Sequence, residues 1–400
     1  MNTQLLIGAT LLLLSIVFSK VSARFGVPAL VVFLGVGILA GPEGIGGLSI
    51  DHQGFVELLA TIALVNILFS GGLDTRWNDL KPVLANGLLL ATVGLCISAA
   101  LVAVAMRFLF DVSWIEGLLF GSIISCTDPA AVFAALRSKN VSLKSGLAPM
   151  AELESAANDP MAVFLALSLI ELLKTPGASI TGLIPTFFLQ MGVGAACGLI
   201  LGFAIPKIIN ALNLDQEGLY PPLSLALAIL TYAITVSLHG SGFLAAYVAG
   251  ITMNAQSFIH KHSLTKFHEG FSWLMQVIMF VTLGLMLRPS QLSGLIIPGI
   301  LLSAFLIFFA RPASVFLTLI GSKHTIREKT MVSWLGLRGA VPIILGTFTL
   351  YSGIATGSLI FNLVFFVVLL SVLVQGTTLT RIAVWLGVSV KPESLSTDSR

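Results

Sequence analysis

The stretch ELESAANDPMAVF, residues 152–164, concentrates oxygen-bearing side chains in an otherwise apolar region of the chain. Ser155 and Asp159 are four residues apart, so they share one face of a helix. Glu154 lies roughly 140° from Asp159 around that helix at 100° per residue, so the two carboxylates cannot easily bind one ion together. A carboxylate beside a hydroxyl suits a monovalent cation or a proton. Asp159 and Ser155 are therefore the candidate exchange site.

The two glutamates of this stretch need other roles. A buried carboxylate without a partner takes up a proton, so we expect Glu154 to form a structural ion pair with a buried cation. Arg338 is the candidate partner, because it lies at comparable depth in the membrane. Glu152 lies nearer the cytoplasmic end and is expected to line the entrance. Arg311, beside Pro312, receives no role beyond that of a structural partner.

A second polar motif is SCTDPAAV, residues 125–132. Pro129 lacks an amide proton and disfavours helix at the residue before it. The motif therefore predicts a helix that breaks at Thr127–Asp128 and restarts at Pro129, with Asp128 capping the second half. An ordinary proline kink with a local cap is the alternative. A broken helix at membrane depth lines a cavity or is buried in protein.

A third motif is WLGLRGAVPIIL, residues 334–345. Gly339 suits a helix end and Pro342 suits a helix restart. Arg338 would then complement the negative carbonyl ends of the first half-helix. The motif predicts a second interrupted helix.

The composition places these motifs in a membrane protein. Hydrophobic residues make up 56% of the chain, charged residues only 10%, and the mean hydropathy is +1.00, whereas soluble domains carry about 25% charge. Lipid must therefore be the solvent for most of the surface. The net charge of +3 indicates no nucleic-acid partner, because topology segregates the basic residues.

A helix needs about 20 apolar residues to cross the hydrocarbon, and the chain offers thirteen candidates. They are 4–20, 27–41, 54–73, 82–106, 114–136, 147–172, 180–207, 219–238, 241–256, 266–287, 292–320, 329–351 and 357–387. Sixteen Lys and Arg residues fall on one side of this arrangement and three on the other. The positive-inside rule then puts the amino terminus outside and the carboxyl terminus in the cytoplasm.

The two interrupted segments are the fifth and the twelfth. If segments one to six and eight to thirteen are repeats joined by the seventh, the interruptions occupy the same slot in each half. An odd number of segments separates the repeats, so their topology is inverted. Paired interrupted helices in inverted repeats mark the substrate site of a secondary transporter. The predicted fold is an all-α polytopic membrane protein with two crossed discontinuous helices.

One desolvated carboxylate that binds either a proton or a cation is sufficient for exchange. If the protein changes access only when Asp159 is occupied, the result is obligatory antiport. Asn158 carries no charge, so we expect one proton per monovalent cation and electroneutral exchange, with no enzyme activity and no cofactor.

The motifs ESAANDPMAVF, CTDPAAV and LGLRGAVPIIL together resemble the cation:proton antiporters of the NhaP type. NDPMAVFLALSLI looks closest to the potassium/proton subgroup, and LFSGGLDTRW, residues 68–77, resembles the end of the family's third helix. The resemblance covers residues 1–390. It implies transport of H⁺ against K⁺ or Na⁺ in a bacterial-type inner membrane.

The resemblance also implies roles for individual residues. These are essential carboxylates at Asp159 and Asp128, ion ligands at Ser155 and Thr127, an Asn158 that holds the unwound strand through Thr127, and a structural pair of Glu154 and Arg338. Some members use an acidic residue near the end of the third helix. Asp74 is the nearest candidate here, but position 73 is Leu, which puts that ligand in doubt.

The implied assembly is a homodimer. Scaffold helices, at about 1–80 and 215–287, would face a moving core at about 82–172 and 292–387, with 180–207 as the linker and 391–400 as a short cytoplasmic tail. Members of the closest subgroup often continue into a cytosolic regulatory domain; this chain stops before it and is expected to be either truncated or naturally short.

Other functions fit the sequence less well. A sodium-coupled symporter of an organic anion shares the architecture but would want a larger, less acidic cavity. A gated channel would need a pore-lining repeat or filter. An intramembrane hydrolase is suggested only by LHGSGF, where His239 and Ser241 are two residues apart, and a glycine-rich turn explains that motif.

Overall fold

A computed structural model describes residues 2–25, 29–48, 53–128, 132–133, 136, 139, 141–144, 146–175 and 180–390. In this part the chain is mostly helical, with two short strands as the only other regular elements described, which confirms the all-α prediction. The helices are α1 (Asn2–Phe25), α2 (Ala29–Ala40), α3 (Gln53–Asp74), α4 (Trp77–Phe110), α5 (Trp114–Ser125), α6 (Leu147–Lys174), α7 (Leu183–Leu212), α8 (Tyr220–Ser237), α9 (Gly242–Asn254), α10 (Lys261–Met286), α11 (Pro289–Thr318), α12 (Ile326–Trp334), α13 (Ala340–Tyr351) and α14 (Gly357–Trp385). The strands are β1 (Ser142–Leu143) and β2 (Ser389–Val390).

Eight of the described helices are long and apolar enough to cross a membrane: α3, α4, α6, α7, α8 with the turn before it, α10, α11 and α14. Five shorter apolar helices are the central part of α1 together with α2, α5, α9 and α13. Each predicted segment overlaps one of these helices, and the ends agree to within about five residues except at the two interrupted segments, 114–136 and 329–351, where the apolar helix covers only part of the segment. The protein is therefore an integral membrane protein built from apolar helices.

The fifth predicted segment is interrupted, as expected. Helix α5 ends at Ser125, and Cys126 is extended with ψ 153°. Thr127 and Asp128 follow without helical structure. The predicted restart at Pro129 lies outside the described residues.

The twelfth segment is also interrupted, but the position of Gly339 was predicted wrongly. The first half-helix already ends at Trp334, and Gly339 lies immediately before the second half, which begins at Ala340. Glycines at 336 and 339 disfavour helix between them. Pro342 occupies the first turn of α13, where no intrahelical partner for its missing amide proton is needed.

Glycines bring pairs of helices into backbone contact. A Cβ atom at Gly72 in α3 would lie 2.3 Å from a backbone oxygen of α9, and one at Gly250 in α9 would lie 2.4 Å from a backbone oxygen of α3. Gly37 and Gly284 approach each other in the same way between α2 and α10. Close packing of small residues is the usual way that helices associate where lipid removes the hydrophobic drive.

Two features connect distant parts of the chain. Single π-helical turns interrupt α4 at Leu90–Gly94 and α11 at Leu306–Ala310, and Ser314 Oγ in α11 donates to Gly94 O at 2.7 Å. The strands β1 and β2 pair antiparallel. This pairing ties the loop before α6 to the chain that follows α14.

The glycine contacts predict a large effect of one methyl group. Gly250→Ala should lower the free energy of unfolding by about 1–3 kcal/mol, because the new methyl overpacks a backbone contact. The detergent-solubilised variant should therefore unfold at a lower temperature than the parent. Gly270→Ala is the control, because nothing lies within 4 Å of a Cβ there. Equal unfolding temperatures for the two variants would contradict the packing described.

Candidate functional site

Thr127, in the unwound segment after α5, is held by two side chains of α6. Its hydroxyl lies 2.7 Å from Ser155 Oγ and accepts a hydrogen bond from Asn158 Nδ2 at 2.9 Å. The Thr127 amide donates to Asn158 Oδ1 at 3.4 Å. Three of the predicted site residues thus meet around one residue that has left its helix.

The two interrupted segments touch each other. The amide of Asp128 donates to Leu337 O at 2.8 Å, so one unwound segment pairs with the other. A Cβ atom at Gly339 would lie 1.9 Å from Asp128 Oδ2. The contact therefore requires glycine at position 339, a role that the sequence alone did not suggest.

Helix α14 supports the second interruption as α6 supports the first. Ser371 Oγ accepts the amide of Arg338 at 3.2 Å and donates to Gln375 Oε1 at 2.6 Å. Gln375 Nε2 in turn donates to Trp334 O at 3.2 Å, at the end of α12. The sequence reading missed Ser371 and Gln375. Their four-residue spacing on one helix face was the available signal.

Asp159 lies at a small cavity beside both interruptions. Its side chain is 6% exposed, and Oδ1 has no hydrogen-bond partner among the described residues. The cavity has a volume of about 100 Å³, and Thr127 and Asp128 also line it. Ser155 and Asn158 lie behind Thr127 and do not line it. The structure thus separates the predicted ligands into cavity-lining residues and residues that hold Thr127.

Arg311, and not Arg338, forms the ion pair with Glu154. Arg311 Nη1 lies 2.5 Å from Glu154 Oε1, and both side chains are 3% exposed. The prediction that Glu154 pairs with Arg338 is therefore wrong, because the basic partner of Glu154 is Arg311. The reason is that α11 brings Arg311 against α6, a tertiary contact that spacing along the chain cannot reveal.

Arg338 lies next to this pair without being its ion-pair partner. Its guanidinium donates to Gly336 O in its own unwound segment. A Cβ atom at Gly336 would lie 2.8 Å from Arg311 Nε and 2.9 Å from Arg338 Nη1. The two guanidinium groups therefore flank one glycine, beside Glu154.

The two accessory candidates, Asp74 and Glu152, share a different cavity. It has a volume of about 290 Å³, and Asp79 also lines it. The Thr75 hydroxyl contacts the Glu152 carboxylate and lies 2.7 Å from Gly71 O. No described residue lines both cavities. Asp74 is therefore not at the Asp159 cavity.

A buried histidine cluster escaped the sequence reading. His268 in α10 is fully buried, with Nε2 3.0 Å from Ser224 Oγ and Nδ1 2.9 Å from Asn66 Oδ1. Asn66 Nδ2 donates to Ser272 Oγ at 3.0 Å. The cluster joins α3, α8 and α10. His268 fell within a predicted segment, and its spacing of four residues from Ser272 was a usable signal.

The Ser241 hydroxyl has a structural role. It accepts the amide of Leu244 at 3.3 Å and so caps α9. This is the usual task of a serine before a helix. The geometry favours the turn over the hydrolase alternative for LHGSGF.

The ion pair predicts a strong effect on stability. Arg311→Ala should lower the free energy of unfolding by about 3–5 kcal/mol, because Glu154 is left buried without its partner. The double variant Glu154→Gln with Arg311→Met should recover much of that loss. The measurement is the unfolding midpoint in detergent.

Arg107→Ala is the matched control, since its pair with Asp111 is largely exposed and exposed pairs contribute little. A midpoint for Arg311→Ala no lower than that of Arg107→Ala would mean that the pair does not stabilise the protein.

Comparison with known proteins agrees with the fold and the motifs. The profile of the family described as sodium/hydrogen exchanger, transmembrane, matches residues 9–385. The chain is 41% identical over 397 residues to the K(+)/H(+) antiporter NhaP2 of Shewanella sp. (strain ANA-3), covering 98% of this chain and 69% of that protein. It is 37% identical over 393 residues to the K(+)/H(+) antiporter NhaP of Alkalimonas amylolytica, covering 98% and 68%.

A solved structure agrees as well. The sodium proton antiporter MjNhaP1 from Methanocaldococcus jannaschii at pH 8 matches with a TM-score of 0.83 and 25% identity, covering 96% of this chain and 99% of that one. The resemblance to the NhaP type is confirmed. The chain belongs to the family of transmembrane sodium/hydrogen exchangers.

Proposed function

We propose that this protein is a secondary active antiporter that exchanges protons for a monovalent cation at Asp159. The observation that carries the proposal is the buried Asp159 oxygen without a hydrogen-bond partner among the described residues, at a cavity between two interrupted helices. A bare carboxylate in such a place is costly. A proton or a cation neutralises it, and the two compete for the same oxygens.

The charged side chains at and beside the two interruptions support a one-for-one exchange. They are three carboxylates, at Asp128, Glu154 and Asp159, and two guanidinium groups, at Arg311 and Arg338; Asp128 is half-buried and the other four are buried. Their sum is −3 + 2 = −1 when all are ionised. One proton or one monovalent cation brings the set to zero. The site is then neutral with either ion bound when it changes its access from one side of the membrane to the other. The exchange is therefore electroneutral.

Potassium is the favoured cation and sodium the next. The two relatives described above carry names that specify K⁺ and H⁺, while a relative in Aphanothece halophytica, 30% identical over 346 residues, is named as a Na⁺/H⁺ antiporter. The alternative, a sodium-coupled symporter of an organic anion, fits poorly. A cavity of about 100 Å³ with a net negative charge offers an organic anion little room and no attraction.

The proposed transport movement shifts a core of α4–α6 and α11–α14 against a scaffold of α1–α3 and α8–α10, with α7 as the linker, in a homodimer of the inner membrane. All thirteen segments would cross, with the amino terminus outside. Two of the three described π-helical turns support an inverted repeat, because they fall in the fourth and eleventh segments, whereas the third, Val372–Gly376, lies in the thirteenth. The residues that hydrogen-bond to the two unwound segments also lie in matching segments of the two repeats. Ser155 and Asn158 are in the sixth segment, and Ser371 and Gln375 are in the thirteenth.

The cavity lined by Asp74, Asp79 and Glu152, with Arg76 as the one basic lining residue, would be the cytoplasmic approach to the site. Its carboxylates would attract cations from the cytoplasm. Glu152 would thus act at the entrance, as its position near the end of the segment suggested.

The central experiment tests Asp159 itself. Asp159→Asn should abolish cation-induced dissipation of a pH gradient in proteoliposomes for potassium, sodium and lithium alike, because the amide neither releases a proton nor carries a charge. The measurement is the fluorescence of a pH-sensitive dye after each cation is added.

Glu171→Gln is the matched control. It makes the same chemical change on the same helix, at an exposed position, and should exchange at the parent rate. Normal exchange by Asp159→Asn would show that the assigned site is not the transport site.

Electroneutrality is tested separately. At fixed ion and pH gradients, the exchange rate should stay unchanged when membrane potentials of either sign are imposed on the proteoliposomes. Vesicles without protein report the passive leak under each potential. A rate that rises or falls steeply with potential would rule out one-for-one exchange.

A further inference from the structure

Gln276, in α10, is a buried amide without a hydrogen-bond partner among the described residues. Five amide side chains are buried in the part of the chain that the structure describes: Asn66, Asn158, Gln276, Asn362 and Gln375. The other four are hydrogen-bonded to side chains or backbone. Gln276 is 7% exposed and makes no such bond among the described residues, although buried amides are normally paired.

The unpaired amide faces the Asp159 cavity. Gln276 of α10 lines it together with residues of both interrupted segments. Most of the wall on the side of α3 is apolar, formed by Ile67, Leu68 and Gly71. Tyr247 of α9 is the other polar residue there, and it too is neutral at ordinary pH. The proposed scaffold thus presents neutral oxygens to a cavity whose carboxylates come from the core.

We propose that the amide oxygen of Gln276 completes the coordination shell of the transported cation and sets the preference for potassium over sodium. The inference rests on the proposed antiport at Asp159. The core side of the cavity offers the carboxylates of Asp159 and Asp128, and Thr127 also lines it. A neutral amide adds a ligand without changing the charge balance that makes exchange electroneutral.

The selectivity argument follows from ligand number and cavity size. Selection between the two ions depends on the cavity and on the number of oxygen dipoles around the ion. The larger potassium ion accommodates more oxygens than sodium does, so the loss of one neutral ligand weakens potassium binding more. The proton is indifferent to this ligand, because it binds to a carboxylate oxygen directly. Gln276 therefore affects the affinity for the cation and leaves the affinity for the proton unchanged.

The test uses the full chain with Gln276→Met, which keeps the length of the side chain and removes its oxygen. The half-saturating potassium concentration for exchange at alkaline pH should rise about tenfold. This is the effect expected when the lost ligand contributes as much binding free energy as one hydrogen bond. The value for sodium should rise less, so the potassium preference falls. The apparent proton constant, taken from the pH dependence of half-saturation, should stay constant.

Gln256→Met is the matched control. This amide lies on the proposed scaffold and donates to Gly202 O and Thr252 O, away from the cavity, so neither ion should be affected. Titration calorimetry of potassium and sodium into the detergent-solubilised Gln276→Met protein gives a readout that does not depend on transport. Gln276→Asn, which retains a shorter amide, should fall between the parent and the Met variant.

Unchanged affinities for both ions in Gln276→Met, or equal changes for potassium, sodium and the proton, would overturn the inference. The variant Asp159→Asn distinguishes a failure of the role of Gln276 from a failure of the proposed antiport at Asp159. If that variant is inactive while Gln276→Met is unaltered, only the role of Gln276 fails. If Asp159→Asn exchanges normally, the antiport site itself is wrong.

Discussion

Backbone groups that leave a helix inside an apolar medium must find partners there, and this requirement organises the core of the protein. The Asp128 amide pairs with Leu337 O across the two interruptions. Asn158 Oδ1 accepts a hydrogen bond from the Thr127 amide, and Ser371 Oγ accepts one from the Arg338 amide. Two helices, α6 and α14, therefore act as supports for the two unwound segments.

The same requirement explains why polar residues cluster where they do. An unwound segment at a bilayer's depth creates a polar centre, and the charged residues of the core collect around it. Arg338 donates to the carbonyl of Gly336, and Arg311 reaches the same glycine while pairing with Glu154. Among the described residues, one oxygen of the Asp159 carboxylate has no hydrogen-bond partner, and neither do the Nε atoms of Arg311 and Arg338. Of these three atoms, only the Asp159 oxygen can accept a cation or a proton, so it is the one available to an ion.

The sequence predicted those features that depend on local chemistry. Apolar length located the helices, Pro129 located the break after Ser125, and Pro342 located the restart of the twelfth segment, whereas Gly339 was assigned to the wrong half-helix. The four-residue spacing placed Ser155 and Asp159 on one helix face. Contacts between distant helices could not be predicted in this way. The basic partner of Glu154 required knowing that α11 packs against α6.

The contact between the Asp128 side chain and Gly339 has a genetic consequence. A Cβ at position 339 would overlap the carboxylate of Asp128, so any other residue there displaces the aspartate. A suppressor that relieved the overlap by shortening residue 128 would remove the carboxylate itself. Substitutions at positions 128 and 339 are therefore coupled, although 210 residues lie between them along the chain. Change in either half of the protein is constrained by the other half through this pair.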